Sequence, residues 1–165
     1  PEAGDWREMF AVIAAGNFRL IGKGEGLRDL TDIDDFCEGL HLCATVPGVE
    51  GRIYNLVGNE PLSLYDWVSQ ISRETGASLK TPAIPGWPAR FYNALNDVAF
   101  SISGRELPLA DRLNLFLGDR AHDNSRAKTE LGFAPRASAE EIVRKTVQGY
   151  RERGWLPPIA SGGSQ

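Results

Sequence analysis

The sequence contains little sulfur and no excess of positive charge. It has two cysteines and one methionine among 165 residues, and its formal net charge is −4. A nucleic-acid-binding surface needs clustered lysine and arginine, and no basic run is present. No apolar stretch approaches the roughly 20 residues that cross a bilayer. These absences exclude a disulfide scaffold, and we expect a soluble, cytoplasmic domain that binds neither nucleic acid nor a membrane.

The two cysteines fall in one predicted helix, six residues apart. That separation places Cys37 and Cys43 about 9 Å apart along the helix axis and on different faces. A disulfide needs its two Cα atoms closer than this. We therefore expect two buried, free thiols in a reducing compartment.

What the sequence does contain is a series of amphipathic segments. Apolar residues at helical spacing, cap residues and terminal glycines predict helices at 33–44, 63–76, 86–100, 109–117 and 124–132, and one after the capping box SAEE at Ser138. Short β-rich runs predict strands at 18–22 and at 51–58, the second of them buried. The fold class is α/β with a helical second half. Its few, scattered strands would leave open edges, so the chain resembles the end of a larger fold.

The stretch GKGEGLRD, which begins at Gly22, carries three glycines at alternate positions. A dinucleotide fingerprint needs a helix directly after its glycines, so that the pyrophosphate meets the helix N-terminus. Here an extended segment follows, and we interpret the glycines as a loop between two strands. Arg28 behind the loop can bind a ligand phosphate or carboxylate, or it can form a structural pair with Asp29 or Asp32.

Asp32, Asp34 and Asp35 have the spacing of a hard-cation site. They also stand where a helix begins, and carboxylates there accept from free N–H groups and favour the helix dipole. We interpret them as capping residues, with a metal-dependent enzyme as the alternative. Neither histidine has a nucleophilic serine or cysteine in an elbow motif, so a hydrolase has little support.

An aromatic-rich helix follows three prolines at positions 82, 85 and 88. Trp87 and Phe91 lie near its start, where they can belong either to the core or to a ligand pocket. The prolines hold the chain in an irregular approach, and ligand-facing aromatics are common in such segments.

Three blocks resemble, in order and spacing, the C-terminal half of extended short-chain dehydrogenases/reductases. They are GKGEGLRDLTDIDDFCEGLHLCAT, GRIYNLVGNEPLSLYDWVSQISRETG and DNSRAKTELGFAPRASAEEIVRKTVQGYRERGW. This is the NAD(P)-dependent epimerase/dehydratase family, with its 3β-hydroxysteroid dehydrogenase-like branch. The resemblance covers residues 1–156 and leaves 157–165 as a disordered tail. It implies the last strands of a Rossmann-like sheet plus a mostly helical substrate-binding subdomain, with the N-terminal dinucleotide-binding half absent.

The family binds NAD or NADP near its own start and catalyses with a Ser/Thr residue and a Tyr-x-x-x-Lys pair. None of the four tyrosines here has a lysine four positions later. The resemblance therefore implies NAD or NADP in the intact protein, but no cofactor, catalytic residue or metal in this chain alone. It assigns Arg28 to the substrate, with Trp87 and Phe91 as pocket walls.

The resemblance implies the substrate-binding portion of an NAD(P)-dependent oxidoreductase or epimerase. Hydride transfer would occur at a carbinol or carbonyl of a sterol-like, flavonoid-like or sugar-nucleotide substrate. The implied partners are a missing N-terminal Rossmann half and a small-molecule substrate, and a homo-oligomer is left open. The alternative is a non-catalytic binding or interaction module that retains half of this fold.

Overall fold

The computed structural model describes residues 3–79, 83–105 and 118–157 of the chain. The helix predicted at 109–117 and nearly all of the predicted tail lie outside these residues. Within them the fold has six helices and a two-stranded antiparallel sheet. The helices span Ala3–Ala14 (α1), Ile33–Thr45 (α2), Leu64–Thr75 (α3), Trp87–Ser103 (α4), Ser125–Leu131 (α5) and Ala139–Glu152 (α6). Strand β1 (Leu27–Arg28) pairs with β2 (Leu62–Ser63).

The predicted helix boundaries follow the local capping chemistry. Asp32 caps α2 and Ser63 caps α3, each by accepting from a backbone N–H of the first turn. Ser138 and Glu141 form the predicted capping box of α6. Gly76 ends α3 in the left-handed conformation that glycine adopts at low cost. These local predictions are confirmed, as is the α/β class.

Neither of the two predicted strands is present in the structure as a strand. Residues 18–22 form only an isolated bridge, between Ile21 and Ile84. Residues 52–58 lie in no helix or strand and form no β-ladder with any described residue, and Ile53 is 82% exposed. The prediction of a buried strand at 51–58 is wrong, because a strand needs a hydrogen-bonded neighbour and the described part of the chain supplies none.

Two hydrophobic clusters form the core. The first lies between α1, α3 and α6, and its fully buried members include Ile13, Leu64, Val68, Ile71, Val143 and Val147. The second joins α2, α5 and the segment 52–58, and consists of Val49, Ala127, Leu131 and Phe133 with partly buried neighbours such as Leu42 and Leu56. The segment 52–58 is thus held against α5 although no strand among the described residues pairs with it.

A carboxylate on α5 fixes that segment. Glu130 accepts hydrogen bonds from the Tyr54 hydroxyl at 2.7 Å and from the Arg52 guanidinium at 2.8 Å, and Arg126 donates to its second oxygen at 3.2 Å. The Tyr54 and Arg52 hydrogen bonds lower the pKa of Glu130 to about 2. The network holds the backbone on either side of Ile53 in place.

Much of the apolar face of α2 points outward. Ile33 is 68% exposed and Leu40 is 50% exposed, with Phe36 and Cys37 exposed between them. We call these four residues, together with Ile53, the α2–Ile53 surface. The expectation of two buried thiols is wrong for Cys37, because it lies on this outward face, and Cys43 is only partly buried. No helix within the described ranges is long and apolar enough to cross a membrane.

The glycine loop packs against the start of α3. The carbonyl of Gly26 accepts from the Leu64 N–H and that of Gly24 from the Tyr65 N–H, each at 2.9 Å. Two of the N–H groups that a helix leaves unpaired at its start are satisfied in this way. Gly24 has φ +69°, and a Cβ there would lie 3.0 Å from the Tyr65 nitrogen. The loop glycines therefore serve backbone packing.

We expect Gly24→Ala to destabilise the fold by about 2–3 kcal/mol, from the left-handed backbone and the contact with Tyr65 together. Gly48→Ala is the matched control, since Gly48 also has a positive φ but a Cβ added there would have no atom within 4 Å. It should cost only about 1–2 kcal/mol. Urea denaturation measures both, and equal losses would contradict the packing role of Gly24.

Candidate functional site

The short β-ladder directs Arg28 into the protein. Leu27 lies opposite Ser63 and Arg28 lies opposite Leu62. Because side chains alternate along a strand, the exposed Leu27 leaves Arg28 facing inward, where it is only 4% exposed. Arg28 also forms a parallel bridge with Arg120. The predicted substrate residue is therefore a buried guanidinium with a fixed backbone.

Arg28 lines a cavity of about 320 Å³ between the sheet and the first hydrophobic cluster. Helices α1, α3 and α6 supply its aromatic walls. Trp6 and Trp67 meet edge to face with ring centroids 5.0 Å apart, and Phe10 meets Tyr150 in the same way at 5.3 Å. The remaining lining residues are Asp29, Leu30, Thr31, Arg120, Ile142, Val143 and Thr146. The cavity is mostly apolar, and its charged end carries the two arginines.

The surroundings of Arg28 disfavour the charged form of its guanidinium. Burial, and then the like charge of Arg120, lower the pKa of the Arg28 guanidinium, while the Asp119 carboxylate opposes this by a smaller amount. The Asp119 carboxylate also accepts from the Leu27 N–H at 2.9 Å. The donors of a guanidinium suit carboxylate or phosphate oxygens.

Trp87 and Phe91 lie elsewhere. They project from the first turns of α4 and are 72% and 62% exposed, and neither lines the cavity with Arg28. The start of α4 is tied to the glycine loop, because Gly22 donates to the Ile84 carbonyl at 2.8 Å. The predicted site residues thus occupy two locations, a buried one at Arg28 and an open one on α4.

The acidic cluster has a structural role at the start of α2. Besides capping the helix, Asp32 accepts from the Lys145 ammonium at 2.9 Å. Asp35 is buried and accepts from the backbone N–H groups of Arg136 and Ala137, each at 3.0 Å. The capping interpretation is confirmed for Asp32. Across the described ranges, no three His, Cys, Asp or Glu side chains are arranged to hold a metal ion.

Four aromatic cavity residues were not predicted as site residues. Trp6, Phe10 and Trp67 have the helical spacing typical of core residues, and Tyr150 lies far along the chain on α6. No local signal indicates that these three helices meet around Arg28.

Curated relatives match most of the chain. The 3β-hydroxysteroid dehydrogenase/decarboxylase isoform 2 of Arabidopsis thaliana is 26% identical over 157 residues, which cover 86% of this chain and 28% of that protein. The dTDP-glucose 4,6-dehydratase of Streptomyces antibioticus is 30% identical over 143 residues, which cover 85% of this chain and 34% of that protein. No family model matches the chain.

Solved structures match the fold. The structure of gox2253 superposes with a TM-score of 0.69 at 21% identity, covering 95% of this chain and 47% of that one. That of Bordetella bronchiseptica WbmF in complex with NAD⁺ and UDP gives 0.59 at 20% identity, covering 93% and 39%. The resemblance to the extended short-chain dehydrogenases/reductases is confirmed. The chain spans about a third of the length of these curated relatives of the NAD-dependent epimerase/dehydratase group.

The acidic cluster at the start of α2 leads to a prediction about how the stability of this chain depends on pH. Hydrogen bonding from Lys145 holds the pKa of Asp32 below its ordinary value of 3.8. The ionised carboxylate therefore adds stability above about pH 4, which is lost as the pH falls through the lower folded-state pKa. Asp32→Asn keeps a good cap but removes the charge. We expect the variant to have a lower urea midpoint than the parent at pH 7, with the difference closing towards pH 2.

Asp34→Asn is the control, since the Asp34 side chain is 84% exposed and lies 3.6 Å from Lys145. Its urea midpoint should stay close to that of the parent throughout the series. If the Asp32→Asn deficit were as large at pH 2 as at pH 7, side-chain packing rather than charge would explain it.

Proposed function

We propose that this chain is the substrate-binding portion of a cytoplasmic NAD(P)-dependent oxidoreductase or epimerase. In the intact protein a hydride would pass between the nicotinamide and a carbinol or carbonyl of a sterol-like, flavonoid-like or sugar-nucleotide substrate. The buried Arg28 at the end of an aromatic cavity is the observation that carries this proposal. Arg28 would orient the substrate through an anionic or strongly polar group, and Trp87 and Phe91 would form outer pocket walls.

The cofactor and the catalytic residues would belong to an N-terminal half that precedes these residues. The curated relatives are about three times as long as the matched region, which leaves room for a Rossmann half. The chain itself contains no Tyr-x-x-x-Lys pair, and the glycines at 22–26 are engaged with the start of α3. In this proposal the chain alone neither binds nicotinamide nor catalyses.

The test is a titration of NADH and NADPH into the 165-residue chain, followed by nicotinamide fluorescence. We expect no change at millimolar cofactor. Binding of either cofactor at micromolar concentration would contradict the proposal, because the glycine loop would then have to open into a phosphate-binding loop. The Gly24→Ala variant is the control for such binding, since it alters the loop at a residue that does not line the cavity.

The α2–Ile53 surface would dock the missing half. Ile53 is exposed on a segment whose backbone has no ladder partner among the described residues, and Ile33 and Leu40 lie exposed on α2. A β-rich segment with no ladder partner among the described residues and an exposed apolar side chain is suited to continue a sheet. The same surface also favours the second candidate, a non-catalytic module that binds another protein partner.

We expect Ile53→Asp to weaken association with a separately expressed N-terminal half of the longer protein by at least about tenfold, because a carboxylate would be buried at the interface. The stability of the chain alone should change by no more than about 0.5 kcal/mol, since Ile53 is 82% exposed. Ile102→Asp on α4, where Ile102 is 81% exposed, is the matched control.

Calorimetric titration of the two halves measures the affinity. Equal weakening by both variants would remove Ile53 from the docking surface. A chain that is monomeric, binds no N-terminal half and melts identically with or without it would favour the non-catalytic module.

A further inference from the structure

Helix α4 carries large apolar side chains on its outer side. With 3.6 residues per turn, five of them fall within about 80° of one another around the helix axis. Each is at least 47% exposed, and they are Trp87, Phe91, Leu95, Val98 and Ile102. We call these five residues the α4 stripe. A helix of a globular protein ordinarily turns such a stripe towards the core, so an exposed one marks a contact surface.

The side of α4 that faces the rest of the chain is more polar than the stripe. Ala89 and Asn96 are the buried residues of the helix, and Asn93 is partly buried. These three lie on the side of the helix opposite to the stripe, and the partly buried Tyr92 lies at the edge of that side. Helix α4 thus packs on its own chain through small and polar side chains. Its larger apolar side chains are left for a second contact.

Two opposite charges lie along one flank of the stripe. Arg90 and Asp97 are both exposed, and they are seven residues apart, which places them on the same side of the helix. They are about 10 Å apart along the helix axis, too far to pair with each other. Neither forms an ion pair with any described residue. Charges that flank an apolar stripe at this spacing select the partner helix and its orientation.

We propose that the α4 stripe is the contact between two copies of this chain, packed antiparallel about a two-fold axis near Ala94. Such an axis sets Arg90 of each copy opposite Asp97 of the other copy. One symmetric contact therefore pairs all four charges. This inference goes beyond the proposed function and does not depend on it.

The same axis matches large side chains with smaller ones. Trp87 of one copy lies near Val98 of the other, and Phe91 lies near Ala94, which is exposed beside the stripe. Such matching lets the side chains of two helices interdigitate. Trp87 and Phe91 contact the second copy with one side of their rings, and the other side stays open to the substrate of the proposed function.

Two other occupants fit the stripe less well. Helices that lie on a membrane surface carry several lysines and arginines on their polar face, whereas Arg90 is the only cation of α4. The N-terminal half already has a place in the proposed function, at the α2–Ile53 surface. Neither occupant accounts for opposite charges seven residues apart on one flank, which an antiparallel copy pairs.

Sedimentation equilibrium of the 165-residue chain, between about 10 µM and 1 mM, measures the association. We expect an apparent mass that rises with concentration towards that of two chains, because a contact of one helix about 25 Å long gives a weak dimer. Val98→Asp should raise the dissociation constant at least about tenfold, since it places a carboxylate in the apolar contact. Ile53→Asp, on the other exposed apolar surface, is the matched control and should leave the constant unchanged.

Exchange of the two charges tests the pairing and the orientation. Arg90→Asp alone leaves two carboxylates on the flank of each copy, and Asp97→Arg alone leaves two guanidinium groups. Each should weaken the dimer by about fivefold or more, because like charges then face each other. An equimolar mixture of the two single variants should associate as the parent does, since every facing pair is again of opposite charge. Arg144→Asp, at an exposed position of α6, is the control for the change in net charge.

Four results would overturn the inference. They are a chain that stays monomeric at about 1 mM, a dimer that Val98→Asp leaves intact, a dimer that Ile53→Asp abolishes, and single charge variants that do not associate when mixed. Unaltered far-UV circular dichroism shows that each variant is folded. The cofactor titration tests the proposed function and is independent of these masses.

The other occupants of the stripe have outcomes of their own. A monomeric chain that binds phosphatidylcholine vesicles, and loses that binding in Val98→Asp, would overturn the inference in favour of a membrane surface. A monomeric chain whose affinity for the N-terminal half falls in Val98→Asp would overturn it in favour of that half.

Discussion

The buried carboxylates of Asp32 and Asp35 join the two hydrophobic clusters. Asp32, at the start of α2, pairs with Lys145 on α6, and Asp35 accepts from the backbone just before α6. Helix α2 belongs to the second cluster and α6 to the first. A buried carboxylate is tolerated only where donors satisfy it, so these bonds allow few relative positions of the two helices. These bonds therefore fix the position of the cavity relative to the α2–Ile53 surface.

The helix caps could be predicted from the sequence. The packing of helices that are distant in the sequence could not. The caps at Ser63 and Ser138 depend on residues three positions away, and the structure has both. The cavity depends on Trp6, Trp67 and Tyr150, which lie on three different helices. Helical spacing tells which side chains share a face of one helix. It does not tell which face of another helix covers them, so the aromatic walls could only be interpreted as core.

The two wrong predictions of burial have a common cause. Periodicity placed Ile33, Phe36 and Leu40 on one face of α2, and the structure has them on one face, but that face is exposed. The β-rich run at 51–58 forms no strand with any described residue, and Ile53 is exposed as well. A periodic pattern of apolar residues predicts which side chains share one face of a helix or strand. It does not predict that another part of the same chain packs on that face. Exposure of an apolar face is therefore compatible with correct helical spacing.

The burial of Arg28 costs hydration that an apolar side chain at the same position would not lose. Its position opposite Leu62 in a two-residue ladder could hold an aliphatic side chain, which would pack on the first cluster without loss of hydration. Even a well-paired buried ion is often no more stabilising than an apolar side chain of the same volume. Arg120 beside it adds repulsion. In the proposed function, a polar or anionic group of the substrate at the end of the cavity would offset this cost.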